Sequence, residues 1–448
     1  MKSLIARALP SSDRRVIRQS IWLEAMLGVQ SVGGIVQVSI TARLLGPEGY
    51  GVLAVFTAVT SLLYTFLALP GGETITTYVT RSVKAGRQEE AAATLRFALA
   101  TALGFRAISY CLLVVFALTA RGFLGVDSAH ATTLIVFGAA GLLLAVHGES
   151  LAVLRLADRV SLGLIVVSAG TLIRIAVLLV AWISGGGLFM VVLAHVAGAA
   201  VTGVGMFAVA AVSAARAGLP GLLSSLSVRV PRDVVGFQTA SFAKATVASL
   251  SQNMDVLLLA ELSSITQVGL YRAARSIIDL ARKPFQPIMN GLQVELSRQW
   301  YSSEWTALRR LVFRFTLLTT ALATAGFGLL AVLHEPVMRI ILGSEFSDAS
   351  QLLMIMIIGS SIAAGISALS VLPAAMGRAG PSLVAATSGV LISLVTILWL
   401  VPQYGATGAA WANTTYFIVF VVVLVPWVLS ILQRSFATAT SRSGSRPR

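Results

Sequence analysis

Residues Tyr271–Asn290 read YRAARSIIDLARKPFQPIMN. The stretch holds the cations Arg272, Arg275, Arg282 and Lys283, the acid Asp279, and two prolines, Pro284 and Pro287. Around it the chain is 56% hydrophobic and only 11% charged, whereas a soluble domain is about a quarter charged. The protein is therefore read as an integral membrane protein, and this stretch as a membrane span. At 100° per residue, Arg272, Arg275, Asp279, Arg282, Lys283, Gln286, Asn290 and Gln293 fall in one arc of about 100°. The opposite side carries Ile277, Ile278, Leu280, Ala281, Phe285 and Ile288. A charge in hydrocarbon costs at least ~2.5–3.5 kcal/mol, so the charged face meets water or protein rather than lipid.

Twelve stretches have the ~20 mostly apolar residues that a helical span needs: about 19–44, 51–70, 92–119, 131–154, 160–183, 188–213, 235–261, 268–294, 311–333, 350–375, 381–401 and 406–432. No run alternates as a barrel strand does, so the expected fold is all-helical. The net charge of +15 does not point to nucleic acid, because the cations punctuate apolar segments instead of forming a basic domain. Placing both termini inside puts 23 of the 33 lysines and arginines in inner segments and only Arg121 and Arg339 in outer loops, which by the positive-inside rule sets the orientation. No cleavable signal is evident, and the first apolar stretch is expected to stay as span 1. Cys111 is the only cysteine, which excludes an internal disulfide and a cysteine metal cluster.

The chain resembles itself at an offset near 218. PEGYGVLAVF, around Gly51, matches TQVGLYRAAR, around Gly269; GGGLFMVVLA, with Gly187, matches YGATGAAWAN, with Gly405; Arg159 matches Arg378. Two homologous halves follow. Each has six spans, so both enter the membrane in the same sense, and the expected arrangement is two six-helix bundles related by a pseudo-twofold axis along the membrane normal, around a central cavity. The expected organisation is an N-terminal bundle at 1–214, a cytoplasmic linker at 215–234, a C-terminal bundle at 235–433 and a disordered basic tail at 434–448. Breaks match as well. Span 2 ends in Leu69-Pro70-Gly71-Gly72, and the offset carries its last three residues to Ile288–Asn290, beside Pro287. Interrupted spans at corresponding positions point to a transport site.

Span 7 carries a thinner polar face with Lys244 and Asp255 on one side. Leaving aside Glu261 at the outer end of span 7, spans 7 and 8 together hold five intramembrane cations against two acids. In a purely structural reading Asp279 pairs with Arg275 and with Arg282 or Lys283, but one carboxylate serves only part of that set. The surplus suits a phosphate or diphosphate, which the planar guanidinium fork binds with two hydrogen bonds. The candidate substrate-binding residues are Arg272, Arg275, Arg282, Lys283, Lys244, Gln286 and Asn290. Asp279, Asp255 and Glu24 are candidates for ion coupling or ion pairing. Arg106, Arg174 and Glu149 are intramembrane charges of the first half, read either as bundle pairs or as cavity groups. His147 and His195 are read as hydrogen-bonded interior histidines. No nucleotide loop, nucleophile triad or metal-ligand spacing is present, so no enzyme, metal or cofactor is expected beyond a coupling proton or sodium ion.

Several segments carry a family resemblance. TARLLGPEGYGVLAVFTAV at 41–59 resembles the opening signature of the polysaccharide transporter family, the Wzx-type flippases of the multidrug/oligosaccharidyl-lipid/polysaccharide exporter superfamily. VGLYRAARSI at 268–277, LGSEFSDASQLLMIM at 342–356, AAMGRAGPSL at 374–383 and VPQYGATGAAWAN at 401–413 resemble its second half. Leu53 departs from the aromatic residue that the family often has there. The resemblance implies a cavity lined chiefly by spans 1, 2, 7 and 8. Its implied substrate is a polyprenyl-diphosphate-linked oligosaccharide of O-antigen, capsule or exopolysaccharide biosynthesis, moved between the leaflets of the bacterial inner membrane. Membrane lipid, a glycan polymerase and chain-length proteins are the implied partners of a monomer. The rivals are a multidrug and toxin extrusion antiporter, whose cavity is expected to be acidic, a lipid II flippase, and a scaffold that transports nothing.

Overall fold

The computed structural model describes residues 11–67, 71–119, 128–216, 253–302, 304–378 and 380–443, with side chains for most of them. Every regular element among these residues is helical. The first half consists of α1 (Ser11–Phe66), α2 (Gly71–Thr74) with a π-helical turn Ile75–Val79 and α3 (Thr80–Lys84), α4 (Gln88–Thr119), α5 (Ser128–Leu143), α6 (His147–Leu156), α7 (Val160–Ile183) and α8 (Leu188–Arg216). Residues 253–262 are helical. The second half consists of α9 (Ile265–Arg282), α10 (Phe285–Tyr301), α11 (Trp305–Val332), α12 (His334–Ile341), α13 (Ala349–Gly365), α14 (Ser367–Ala375), α15 (Gly380–Tyr404) and α16 (Ala406–Ser443). Lys244, most of the expected span 7 and nearly all of the linker 215–234 lie outside the described residues.

Among the described residues, eight helices are long and apolar enough to cross a membrane, or nine if α13 and α14 count as one span bent by 47°. Large apolar side chains on these helices face outward, Ile183 at 87% exposure and Val332 at 77%. Such a surface belongs in lipid. The chain is a multi-pass membrane protein.

The element boundaries correct several expectations. Spans 1 and 2 are two helices, as expected, but they meet without a loop: α1 carries between them a kink at Gly46, with φ 62 and ψ −178, a conformation essentially restricted to glycine. Span 2 does not end at Pro70, since helix resumes from Gly71 to Lys84. Span 8 is two helices, not one, and its interruption is at Lys283–Pro284 instead of near Pro287. Spans 4 and 10 are each read from the sequence as a single apolar run. They divide instead at 144–146 and at Ile366. The last helix continues to Ser443, into the segment 434–448 expected to be a disordered tail.

The internal repeat is visible in this element order. Gln88 and Trp305, His147 and Ser367, Val160 and Gly380, and Leu188 and Ala406 open corresponding helices 217 to 220 residues apart. The interruptions correspond too, α1/α2 with α9/α10 and α5/α6 with α13/α14. Packing repeats with the elements. A Cβ on Gly170 would collide with Thr202 and reach 2.8 Å from the Gly198 carbonyl oxygen; one on Gly389 would reach 2.9 Å from the Tyr416 ring. The same α7/α8 and α15/α16 crossing is thus made twice, and small residues permit the close approach on which helix association in lipid depends.

Contacts divide the chain into two compact units, the described residues of Met1–Leu45 with Val52–Leu257, and those of Gly46–Gly51 with Leu258–Arg448. The first is centred on Ile75, Val79, Leu95, Leu154 and Met206. The second is centred on Leu296, Leu308, Leu372 and Leu424. Leu154 and Leu372, and Met206 and Leu424, are repeat partners, so the same positions of each half build its core.

Candidate functional site

The cationic face rests on α9. Ser264 caps its start, the hydroxyl oxygen accepting from Gln267 N at 3.4 Å, and Gln267 Oε1 accepts from Ala406 N at 3.0 Å, tying α9 to the start of α16. The apolar side of α9 is buried through Val268, Tyr271, Ala274, Ile277 and Ile278, as its angular distribution requires. A reciprocal contact fixes the N-terminal end of α9. A Cβ on Gly51 would collide with Ile265 O, and one on Gly269 with Pro47 O; each would also lie about 3 Å from the other glycine's nitrogen, 3.1 Å and 3.0 Å. Positions 47 and 265, and 51 and 269, are both 218 apart, so two repeat-related segments clasp each other with no side chain between them. Tyr50 adds a hydrogen bond. Ser276 Oγ donates to Arg272 O at 2.8 Å, so its single proton is used, and the Tyr50 hydroxyl donates to Ser276 Oγ at 3.2 Å.

Arg272 and Arg275 are half-buried on this helix, and Asp279 is exposed. The Arg282 guanidinium lies 4.6 Å from the Phe417 ring centroid. Asp279, Tyr416 and Arg275 are the polar and charged groups nearest it electrostatically. Stacking engages the guanidinium face and leaves its in-plane N–H donors for an oxygen ligand. Among the described residues, Asp279 makes no direct ion pair with Arg275, Arg282 or Lys283. The carboxylate moderates the field without neutralising any one cation by contact.

Beyond Arg282 the backbone stays in the right-handed helical region at Lys283 and Pro284, but the bonding tightens. Lys283 N donates to Leu280 O, and Gln286 N to Lys283 O, both three residues apart. Pro284 has no N–H to offer, so the regular ladder lapses there. Lys283, Gln286 and Asn290 are exposed and follow α9 across this tighter turn, which rotates α10 relative to a uniform helix. The polar arc read from the sequence is therefore two short arcs in series.

Asp255 is buried in the first unit, its Oδ1 accepting from Val256 N at 2.9 Å. Glu24 is half-buried on α1. Arg106, Arg174 and Glu149 are not joined into direct Arg–Glu pairs. Arg174 donates to Gln37 Oε1 at 3.0 Å. Gln37 Nε2 lies 2.9 Å from His195 Nε2, and His195 Nδ1 lies 2.9 Å from Val191 O. A carbonyl only accepts, so Nδ1 carries the proton and Nε2 accepts from Gln37. The expected hydrogen-bonded interior histidine is found at His195. At His147 the Nδ1 atom is buried with no partner. Arg106 sits 4.6 Å over the Tyr64 ring. Gln37, Tyr64 and Phe417 escaped the sequence reading, because a single glutamine or aromatic on an apolar helix carries no periodic signal.

The family described as polysaccharide biosynthesis protein matches residues 16–291. The chain belongs to this family. Its match covers α1 to the first turns of α10 and so includes the cationic face of α9. No curated protein sequence matches the chain. Solved structures share the fold at low identity. An inward-facing multidrug resistance MATE family transporter of the MOP superfamily has a TM-score of 0.74 at 12% identity, over 91% of this chain and 96% of that one. The lipid II flippase MurJ in an inward closed conformation has a TM-score of 0.63 at 13% identity, over 96% and 93%. The Vibrio cholerae MATE transporter VcmN in its bent form has a TM-score of 0.60 at 16% identity, over 94% and 97%. At these identities the likeness is one of fold. That fold is all-helical.

Proposed function

We propose that this protein is a flippase for a polyprenyl-diphosphate-linked oligosaccharide, the repeat unit of an O-antigen, capsule or exopolysaccharide, in the bacterial cytoplasmic membrane. The observation that carries the reading is the gathering of Arg272, Arg275, Arg282 and Lys283 on and just beyond α9, with Arg282 stacked on Phe417. A diphosphate brings complementary negative charge, and the stacked Arg282 offers it preoriented donors. Lys244 extends the cationic set; Gln286 and Asn290 are hydrogen-bonding groups suited to the adjoining sugar. The polyprenyl chain stays in lipid while the two bundles alternate in access. Both termini are cytoplasmic by the loop charge asymmetry, and the protein acts as a monomer alongside a glycan polymerase and chain-length proteins.

The fold is shared with transporters named for drugs and for lipid II, so the cation set is what separates the readings. Cationic drugs do not suit a surplus of arginines. In cells that depend on this protein for surface glycan, Arg275→Glu and Arg282→Glu should abolish glycan export and leave lipid-linked repeat units on the cytoplasmic side, with membrane insertion unchanged. Wild-type export in both variants would overturn the reading. Restoration of growth in cells depleted of their lipid II flippase, without any effect on surface glycan, would replace it with the lipid II reading.

A further inference from the structure

The cation set receives the head of a lipid-linked substrate and leaves its hydrocarbon chain without a place on the protein. The second unit has such a place. A groove of about 500 Å³ opens between α11 and α13, with Phe327, Gly328, Ala331, Ile358 and Ile362 among its walls. Along α11 it runs from Thr320 to Ala331, about 16 Å at 1.5 Å per residue. Ile358 and Ile362 are exposed, as is Leu329 beside the groove at 61%, so the groove opens to lipid. One end lies at the bend between α13 and α14, where Gly365 and Ile366 line it. The Gly365 carbonyl freed by that bend accepts from Thr319 Oγ1 at 2.7 Å and from Thr320 Oγ1 at 3.2 Å. Ser361 Oγ donates to Ile358 O at 2.9 Å. The hydroxyl protons of Thr320 and Ser361 are thus spent on backbone, and the groove suits hydrocarbon.

The first unit closes the equivalent place. Gln88 and Trp305 open α4 and α11, 217 residues apart, which pairs Tyr110 with Phe327 and Leu113 with Leu330. The Tyr110 hydroxyl donates to Ile135 O on α5 at 3.3 Å. A Cβ on Gly138 of α5 would lie 2.8 Å from the Leu113 side chain and 3.3 Å from the Tyr110 ring, so side chains of α4 fill the α4/α5 crossing. Phe327 instead stacks on Phe285 of α10, with ring centroids 6.4 Å apart and planes 17° apart. Phe285 opens α10 directly after Lys283 and Pro284. One wall of the groove is therefore stacked on a residue two positions beyond the cation set.

We infer that the α11/α13 groove holds the head-proximal part of a polyprenyl chain whose phosphate lies at Arg282 and Lys283. Only the place of the head group rests on the flippase reading. Within a bilayer an apolar chain gains no hydrophobic free energy by leaving lipid for protein, so selection comes from close packing and from a tether. The cations supply the tether. A phosphate held there makes entry of its own chain into the groove an intramolecular step. The groove is single, and a polyprenyl phosphate brings one chain, whereas a phospholipid brings two from its glycerol. The Phe285–Phe327 stack is the threshold between the head site and the chain site, and the chain stays on the lipid side of the unit.

Two glycines of α11 provide the test. A Cβ on Gly326 or on Gly328 meets nothing within 4 Å, so a larger residue fits at either, but of the two only Gly328 lines the groove. Full-length protein in phosphatidylethanolamine–phosphatidylglycerol vesicles is photolabelled with a long-chain polyprenyl monophosphate that carries a diazirine near its head. Labelled peptides are identified by mass spectrometry, and label is expected on the groove-lining parts of α11 and α13. Gly328→Leu should lower it several-fold, and Gly326→Leu should leave it at the parent level. Unlabelled polyprenyl monophosphate should displace the label, polyprenol should do so several-fold less well, and added phosphatidylglycerol should not. Labelling indifferent to Gly328→Leu overturns the inference, as does displacement by polyprenol or phosphatidylglycerol as effective as that by the monophosphate. So does labelling that falls as protein density in the vesicles rises, which marks a second copy as the occupant. Neither glycan nor transport enters the measurement, so its failure is distinguishable from failure of the flippase reading, which export decides.

Discussion

Replacing either glycine of the Gly51/Gly269 clasp with alanine should destabilise the protein, and the two replacements together should cost less than their sum. Each new methyl group meets a backbone carbonyl, Ile265 O or Pro47 O, and backbone cannot rotate aside as a side chain can. Overpacking of this kind costs about 1–3 kcal/mol. At 2 kcal/mol the unfolding equilibrium shifts by about 30-fold, since about 1.4 kcal/mol is tenfold. The contact is reciprocal, so once the first methyl has pushed the segments apart the second finds part of its space already made. Sites in contact couple by about 0.5–3 kcal/mol; here the sign is favourable, so the double variant falls below the sum of the singles. The assay is unfolding in mixed micelles, with denaturing detergent as the variable, for the parent, Gly51→Ala, Gly269→Ala and the double variant. Gly28→Ala, where a Cβ has open space, is the control and should be neutral. Additive costs, or single variants as stable as the control, would refute the reciprocal contact.

Other consequences are more local. Phe417→Leu removes the ring under Arg282 and should reduce glycan export several-fold by loosening the guanidinium, with less effect than Arg282→Glu. Gln37→Leu leaves Arg174 and His195 without their shared partner and should cost about 1–3 kcal/mol, read as a lower thermal midpoint of the purified protein. Beyond the end of span 8, Arg298 and Gln299 donate to Glu295 and hold its carboxyl below the usual carboxylate value. A depressed folded value contributes stability above the unfolded pKa that is lost as pH falls. Glu295→Gln should therefore match the parent at strongly acid pH and lie slightly below it near neutrality, in the same thermal assay at the two pH values.

Much of the architecture could be read from the amino acids in order. Apolar runs of span length, the loop charge asymmetry and the offset near 218 need only local composition and period. The offset reappears in helix starts, interruptions and core positions. The interruptions themselves were legible only where proline marks them. Pro284 ends the ladder of span 8, but Leu144, Ala145 and Val146 are ordinary helix residues. Their interruption depends on what packs around them, including Glu149 and the backbone at Gly71, which are far apart in sequence. The same limit applies to the charges. Helical period alone placed Arg272, Arg275, Asp279 and Arg282 on one face, because angle along a helix depends on residue number alone. That Asp279 makes no direct ion pair with these cations, that Arg282 stacks on Phe417 and that Arg174 bonds Gln37 were decided by tertiary structure. Side-chain partners come from other helices, and no pattern within one helix encodes their distance.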